Sequence, residues 1–351
     1  MVEAKTGGII TFNPKLLEHD PLTEEKEGGR LSLIIEQLQK DNLWDAHVLE
    51  ADIAPMKRLR DIHHPDYLND LHRRSYSGVE QLDSHTPLIK KSFEIARFGA
   101  GGVLDAVDKI MSGEAQTAFC LTAMPGHHAG ISKHGYGSLV NHAAAGAHYL
   151  TKKYSLRRVA IIDLDAEHGS GNQEIFYYRK DVLTVSIHEY PGVTGTGYYD
   201  EVGPKGFQGF NLNIPFASGY GDREYRVCIR EIVEKVMQQF EPEFIIICFG
   251  TNVLNEDPSS HLLVSENGLL EIITMFKQIS AEFCSGKIIS VLEGGTPGKL
   301  MARACSQHAS LLLNKFDSPV DRVKKEELIS YADWYSYAKL VKAQFKKFWK
   351  L

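Results

Sequence analysis

Seven apolar, β-rich runs punctuate the chain, at residues 8–12, 117–121, 158–164, 182–187, 209–214, 244–249 and 287–292. Most are apolar throughout rather than alternating with polar residues, which is the signature of strands covered on both faces in a parallel sheet. Between them lie stretches with helical spacing of apolar positions, at 30–40, 87–111, 143–153, 222–239, 267–282 and 298–314. The alternation predicts an α/β fold, a single doubly wound, mostly parallel sheet with helices on both faces. No internal repeat and no long linker divides it. Residues 323–351 differ in character. Trp334, Tyr335, Tyr337, Leu340, Val341, Phe345 and Trp349 recur at roughly helical spacing among Lys339, Lys342, Lys346, Lys347 and Lys350. The pattern predicts an α/β domain over 1–318 followed by a basic amphipathic helical extension over 319–351. That helix either packs on the domain or docks a partner, a second copy of the chain included.

Composition adds little to this picture and excludes a good deal. The 351 residues are 43% hydrophobic, ample for a large core, and the formal net charge of −6 gives no general reason to bind nucleic acid. Cys120, Cys228, Cys248, Cys284 and Cys305 are odd in number and sit mostly in apolar runs. Buried free thiols of a reducing compartment are expected. The first residues lack the apolar core of a signal peptide, and no apolar run approaches the ~20 residues of a membrane span. The sequence predicts a cytoplasmic protein without membrane or nucleic-acid partners.

The chemistry concentrates at the ends of the predicted strands. Asp163-Leu164-Asp165-Ala166-Glu167-His168-Gly169 follows the run at 158–164, and Pro125-Gly126-His127-His128-Ala129 follows the run at 117–121. Phe249-Gly250-Thr251-Asn252 and Glu293-Gly294-Gly295 close two later strands, and Ser186-Ile187-His188 a third. Open α/β sheets place their ligands at such strand ends. With His19-Asp20-Pro21, Arg30 and His64-Pro65-Asp66-Tyr67, these motifs span residues 10 to 315 in an order that resembles the histone deacetylase and acetylpolyamine amidohydrolase family.

The resemblance implies an arginase-like fold and a metal-dependent amide hydrolase acting on a small acylated amine or acyl-lysine. A divalent metal, zinc in the family, polarises the amide carbonyl and activates water while a histidine pair handles protons. By position, His127 and His128 are that acid–base pair and Asp163 is the carboxylate partner of His127. Asp165, Glu167 and Asn252 fall on the metal positions, where the family has aspartate, histidine and aspartate. Here the matched set has become all-oxygen, which favours magnesium, manganese or calcium over zinc. His168 is discounted as ligand, because residues two apart in a strand share a face and place Glu167, not His168, beside Asp165. Thr296 stands where the family has its oxyanion-donating tyrosine, and Gly137, beside Tyr136, where it has an aromatic channel wall. Tyr136 and Tyr190 are the candidate replacement hydroxyls. The family's structural monovalent cation, a potassium ion, maps onto Asp163, Asp165, Glu167, Ser186 and Ile187.

Three readings therefore stand. The resemblance favours the first, a diverged amide hydrolase that keeps His127, His128, Asp163 and Asp165. The second is a catalytically silent homologue with an empty metal site, Glu167 paired to a cation, and a role in binding a ligand or partner. The third is a different metal-assisted reaction on the same scaffold, with Glu167 as a general base rather than a ligand.

Overall fold

The computed structural model describes residues 7–19, 29–45, 47–78, 80–316 and 332–351. Its centre is an eight-stranded sheet, parallel throughout. The strands are β1 (Gly8–Phe12), β2 (Val48–Glu50), β5 (Thr117–Cys120), β6 (Val159–Asp163), β7 (Val182–Glu189), β8 (Asn211–Phe216), β9 (Phe244–Phe249) and β10 (Ile288–Leu292). A separate antiparallel hairpin joins β3 (Glu80–Asp83) to β4 (Thr86–Leu88). Across the main sheet the order is β2-β1-β5-β10-β9-β6-β7-β8. Every residue of β5, β6, β8, β9 and β10 is buried, as continuous apolar runs require when helices cover both faces. In register, Asp163 stands beside Ser186 and Cys248, and Leu292 beside Phe249. The segments after β5, β6, β9 and β10 thus leave the same edge of the sheet side by side, which brings the sequence motifs together.

The long helices are α1 (Arg30–Lys40), α4 (Ser92–Met111), α5 (His142–Lys153), α9 (Glu266–Phe283) and α10 (Lys299–Leu312). The others are α2 (Met56–Arg60), α3 (Pro65–Ser77), α6 (Ser170–Phe176), α7 (Asp222–Cys228), α8 (Glu234–Phe240) and α11 (Ala332–Phe345). One predicted helix needs correction. The helix expected from residue 87 begins at Ser92, because Pro87 lies in β4 and pairs with Gln81, and Lys91 then takes a left-handed φ of 69°. The helix expected over 222–239 is present, running from α7 into α8 through one π turn, Ile229–Val233, with right-handed helical backbone at both joins. The helix α3 was not predicted. Pro65 at its first turn and the His64 ring, which accepts the Asp66 N–H, form its start.

Close packing fixes the helix layer. At Gly101 of α4 an added Cβ would stand 1.7 Å from the Asp52 carbonyl oxygen. Gly101→Ala is expected to lower stability by about 1–3 kcal/mol, the usual cost of overpacking, measured by urea unfolding. All five cysteines are free and buried. Among the described residues, no helix is long and apolar enough to cross a membrane.

At the carboxyl terminus, α11 turns Val341 and Phe345 into the main core. Lys342 pairs with Glu231 at 2.8 Å, and the Trp349 indole donates to the Gly209 carbonyl at 2.9 Å. The side chains of Trp334, Tyr335 and Tyr337, the boundary at 318 and 319, and Asp20 and Pro21 of the first motif lie outside the described residues.

Candidate active site

Glu293, at the end of β10, organises the histidine loop. Its Oε2 accepts the N–H groups of Gly126 at 2.6 Å and His127 at 3.2 Å, while Oε1 has no hydrogen-bond partner. Burial pushes this carboxyl up to about 7. The Arg30 guanidinium donates to the Glu293 carbonyl. The sequence marked Glu293 and Arg30 only as parts of motifs. Their long-range contacts, across 166 and 263 residues, carry no local signal.

The loop presents two imidazoles in contact, with ring centres 3.9 Å apart and planes tilted by 43°. His127 Nδ1 lies 3.0 Å from Asp163 Oδ2. Burial opposes a charge on this ring, but Asp163, Asp165 and Glu293 together outweigh it and raise His127 to about 10. His128 goes the other way. Burial, then the charges of His127 and His168, hold it well below the ordinary histidine range. One imidazolium and one neutral imidazole therefore lie in contact, the split that distinguishes acid from base in a pair.

The strand β6 ends at Asp163, so residues 164–168 bend rather than continue extended. Two side chains cause the bend. Asp163 Oδ1 accepts the Asp165 N–H at 3.2 Å, and Asp165 Oδ1 accepts the Glu167 N–H at 2.9 Å, each an Asx-type turn. The strand alternation from which Glu167 was set beside Asp165 thus stops at Asp163, although Glu167 stays within the field of the Asp165 charge. The Glu167 carboxylate reaches the loop after β7, where Oε2 accepts the Val193 N–H at 3.3 Å. Burial and the Asp165 charge raise its pKa. No cation pairs with Glu167 among the described residues. His168 does turn away, its ring 4.7 Å from that of His188 and its Nδ1 2.9 Å from Thr196 Oγ1.

Asp165 and Asn252 are brought together. The Asn252 amide donates to Asp165 Oδ1 at 2.7 Å, and its Oδ1 accepts the Ala166 N–H at 3.0 Å. A carboxylate on one side and an N–H on the other fix the orientation of the amide. The second carboxylate oxygen of Asp165 accepts the Gly294 N–H at 2.7 Å. Asn172 completes the floor by donating to Asp163 Oδ2 at 3.2 Å. Both glycines that flank the pair are required, since a Cβ would fall 2.4 Å from Asp165 Oδ2 at Gly250 and 2.5 Å from it at Gly294.

The remaining predicted pocket residues scatter. Thr296 is committed to Asp257, donating from its backbone at 2.7 Å and from its hydroxyl at 2.8 Å. Tyr136 lies over His128, with ring centres 5.2 Å apart, and its hydroxyl donates to the Val193 carbonyl. Val193 thereby ties Glu167 and Tyr136 to one rim segment. Gly137 adopts a φ of 84° and donates its N–H to Thr86. The Tyr190 ring packs 5.2 Å from that of Tyr198. Beneath the metal position, a cavity of about 10 Å³ lies among Asp163, Gly169, Ser186 and Asn213. His188 Nε2 faces the Gly197 carbonyl at 2.9 Å, so its Nδ1 accepts the Ser186 hydroxyl at 2.8 Å. That leaves the lone pairs of Ser186 free.

These residues do not fit a zinc ion. A zinc site needs three or four convergent nitrogen, sulfur or carboxylate donors at about 2.0–2.3 Å. Asp165 already accepts three N–H groups, Asn252 turns its NH₂ rather than its oxygen toward that carboxylate, and Glu167 points to the rim. Among the described residues, no group of three or more His, Cys, Asp and Glu side chains is arranged to hold a metal ion.

Comparison with known proteins agrees with the fold. The model of the histone deacetylase domain matches residues 24–312. A probable deacetylase of Archaeoglobus fulgidus is 32% identical over 291 residues, covering 82% of this chain and 80% of the relative. Histone deacetylase 15 of Arabidopsis thaliana is 32% identical over 84% of this chain, which spans 56% of that protein. A histone deacetylase-like amidohydrolase of Pseudomonas aeruginosa is 30% identical over 67% of this chain and 62% of its own length. The crystal structure of the HDA15 HD domain superposes with a TM-score of 0.85 at 26% identity, covering 98% of this chain and 96% of that one.

Proposed function

Because the chain belongs to the histone deacetylase family, we propose that it recognises an acylated amine in a site that has kept the proton-handling half of amide hydrolysis and lost the zinc half. The observation that carries this reading is the Asn252 amide, which is hydrogen-bonded to Asp165 in the position where the family resemblance calls for a second anionic metal ligand. A carboxamide bound in this way neutralises the need for a cation at Asp165, because three N–H donors already solvate that carboxylate. His127 supplies the remaining positive charge among Asp163, Asp165 and Glu293. With Nδ1 turned to Asp163, the His127 ring has its Nε2–H left to donate to a carbonyl oxygen.

The hydrolase reading retains one specific support, the opposed protonation of His127 and His128. On that reading Asp165, Glu167 and Asn252 hold magnesium, manganese or calcium through oxygen alone, and Glu167 swings in from Val193. Zinc is the family's ordinary metal, and in either reading the donor set disfavours it. The small polar cavity beneath the site, with the free lone pairs of Ser186, supports a structural monovalent ion held with the carbonyls of the metal strand.

Elemental analysis of purified protein, before and after incubation with zinc, manganese and magnesium, separates the two. Substoichiometric metal in every case is expected, with no change of melting temperature on chelation. N-Acetylputrescine and an acetyl-lysine peptide, titrated by calorimetry and assayed for amine release, complete the test. Binding without turnover supports the proposal. A stoichiometric ion together with metal-dependent turnover overturns it.

A further inference from the structure

A cavity of about 600 Å³ lies away from the candidate active site, between α2, the start of α3, α5 and α6. Its volume is in the range of small-molecule sites, roughly 300–1,000 Å³. What distinguishes it is the chemistry of its wall. Arg60 and Lys152 are exposed, and neither has an ion-pair partner among the described residues. Arg179 is held rigidly, its guanidinium donating to both oxygens of Asp181 at 2.9 and 2.6 Å, to Thr151 at 3.0 Å and to His148 Nδ1 at 2.9 Å. Because His148 Nδ1 accepts that bond, its Nε2 carries the hydrogen. His64 is set in the same way, since its Nδ1 accepts the Asp66 N–H at 3.3 Å. The two carboxylates of the wall are already engaged, Asp181 by Arg179 and Asp61 by Arg58 at 3.8 Å.

The wall therefore offers donors and positive charge with its anions engaged, in a chain whose net charge is −6. Cations left unpaired in an acidic protein are a local feature rather than a consequence of composition. We propose that this cavity binds the phosphate monoester group of a small molecule. Arg60 and Lys152 supply the charge, and the ring N–H groups of His64 and His148 supply directional hydrogen bonds. The volume exceeds that of a phosphate ion, which leaves room for the group that carries it. The proposal is independent of the metal question, since none of these residues belongs to the active-site network.

The test is calorimetric titration of the full chain with glucose 6-phosphate, inorganic phosphate and glucose, repeated for the double variant Arg60→Gln, Lys152→Gln. Saturable one-to-one binding of glucose 6-phosphate is expected, with none for glucose, and about a tenfold or greater loss of affinity in the double variant. Lys180→Gln, an exposed position outside the cavity wall, is expected to leave binding unchanged. If the double variant does not fold, Lys152→Gln alone gives the same readout. Absence of saturable binding by either phosphate, or affinity unchanged in the variants, overturns the proposal. So does binding of a phosphopeptide or RNA without binding of the small phosphates.

Discussion

Glu167→His, Asn252→Asp and Thr296→Tyr, introduced together, are expected to create a zinc site and zinc-dependent deacetylation that the parent lacks. Each change has its own physical task. Asn252→Asp removes the NH₂ that now lies 2.7 Å from Asp165 and puts a second carboxylate in its place. Two like charges at that separation destabilise the metal-free protein, and a bound dication reverses the penalty. Glu167→His replaces a side chain tied to Val193 by a nitrogen donor suited to zinc at about 2.0–2.1 Å. Thr296→Tyr gives up a hydroxyl bond to Asp257, worth about 1 kcal/mol, for a hydroxyl long enough to reach an oxyanion. Such a donor is worth about 2.7–4 kcal/mol, a hundredfold or more in rate. The measurable signature is a melting temperature that falls under chelator and rises with zinc, opposite to the flat response expected of the parent. If the triple variant takes up no zinc, the account of Asn252 as the replacement for the metal is wrong. If the parent already turns over and the triple change abolishes activity, the site runs a distinct chemistry.

How much of this was legible in the sequence follows from the range of the forces involved. Most of the long strands declared themselves because burial on both faces leaves an unbroken apolar run, whereas β8 alternates, with Asn211 and Asn213 among its apolar residues. The edge strand β2 has three residues, partly exposed, and β4 contains a proline, so neither carries such a run. The helix α3 was hidden by its polar composition, although Pro65 after His64 was a usable start signal. In the site, the pairing of His127 with Asp163 and the juxtaposition of Asp165 with Asn252 were expected from the family resemblance, position by position, and the structure brings both pairs into hydrogen-bond contact. The direction of the Glu167 side chain was not expected. It depends on Asp165 capturing the Glu167 N–H, which bends the chain one residue before the alternation of a strand could act. The use of Asp257 to hold Thr296 was equally invisible, since a 39-residue separation gives no periodic signal.

Removing Asp163 is expected to cost about 3–5 kcal/mol at neutral pH, the usual penalty for stranding one member of a buried ion pair. Both partners are almost fully buried, at 1% and 3% side-chain exposure, so water cannot take over the lost contact. Asp163 also accepts N–H groups from Asn172 and Asp165, and Asp163→Ala removes both bonds, leaving the Asn172 amide only the weak Cys248 sulfur. The pH profile separates the charge effect from simple loss of packing. His127 is raised from 6.5 to about 10 in the folded protein. Its contribution to stability is therefore fully present below pH 6.5 and is lost as the pH rises through 10, because over that window the native state holds a proton the unfolded chain has released. The wild-type protein should lose stability across this range, by an amount on the order of 5 kcal/mol from this group. Without Asp163, burial dominates, the imidazole is neutral when folded, and the decline from pH 6.5 to 10 should flatten. Glu293 acts in a lower window. Raised from 4.5 to about 7, it also makes stability fall as pH rises, but chiefly between those two values. Urea unfolding of wild type, Asp163→Ala and Glu293→Gln across both windows resolves the two groups. Parallel curves for wild type and Asp163→Ala above pH 7 would mean that His127 is neutral in the folded protein, and the positive charge assigned to the site in place of a metal would have to be abandoned.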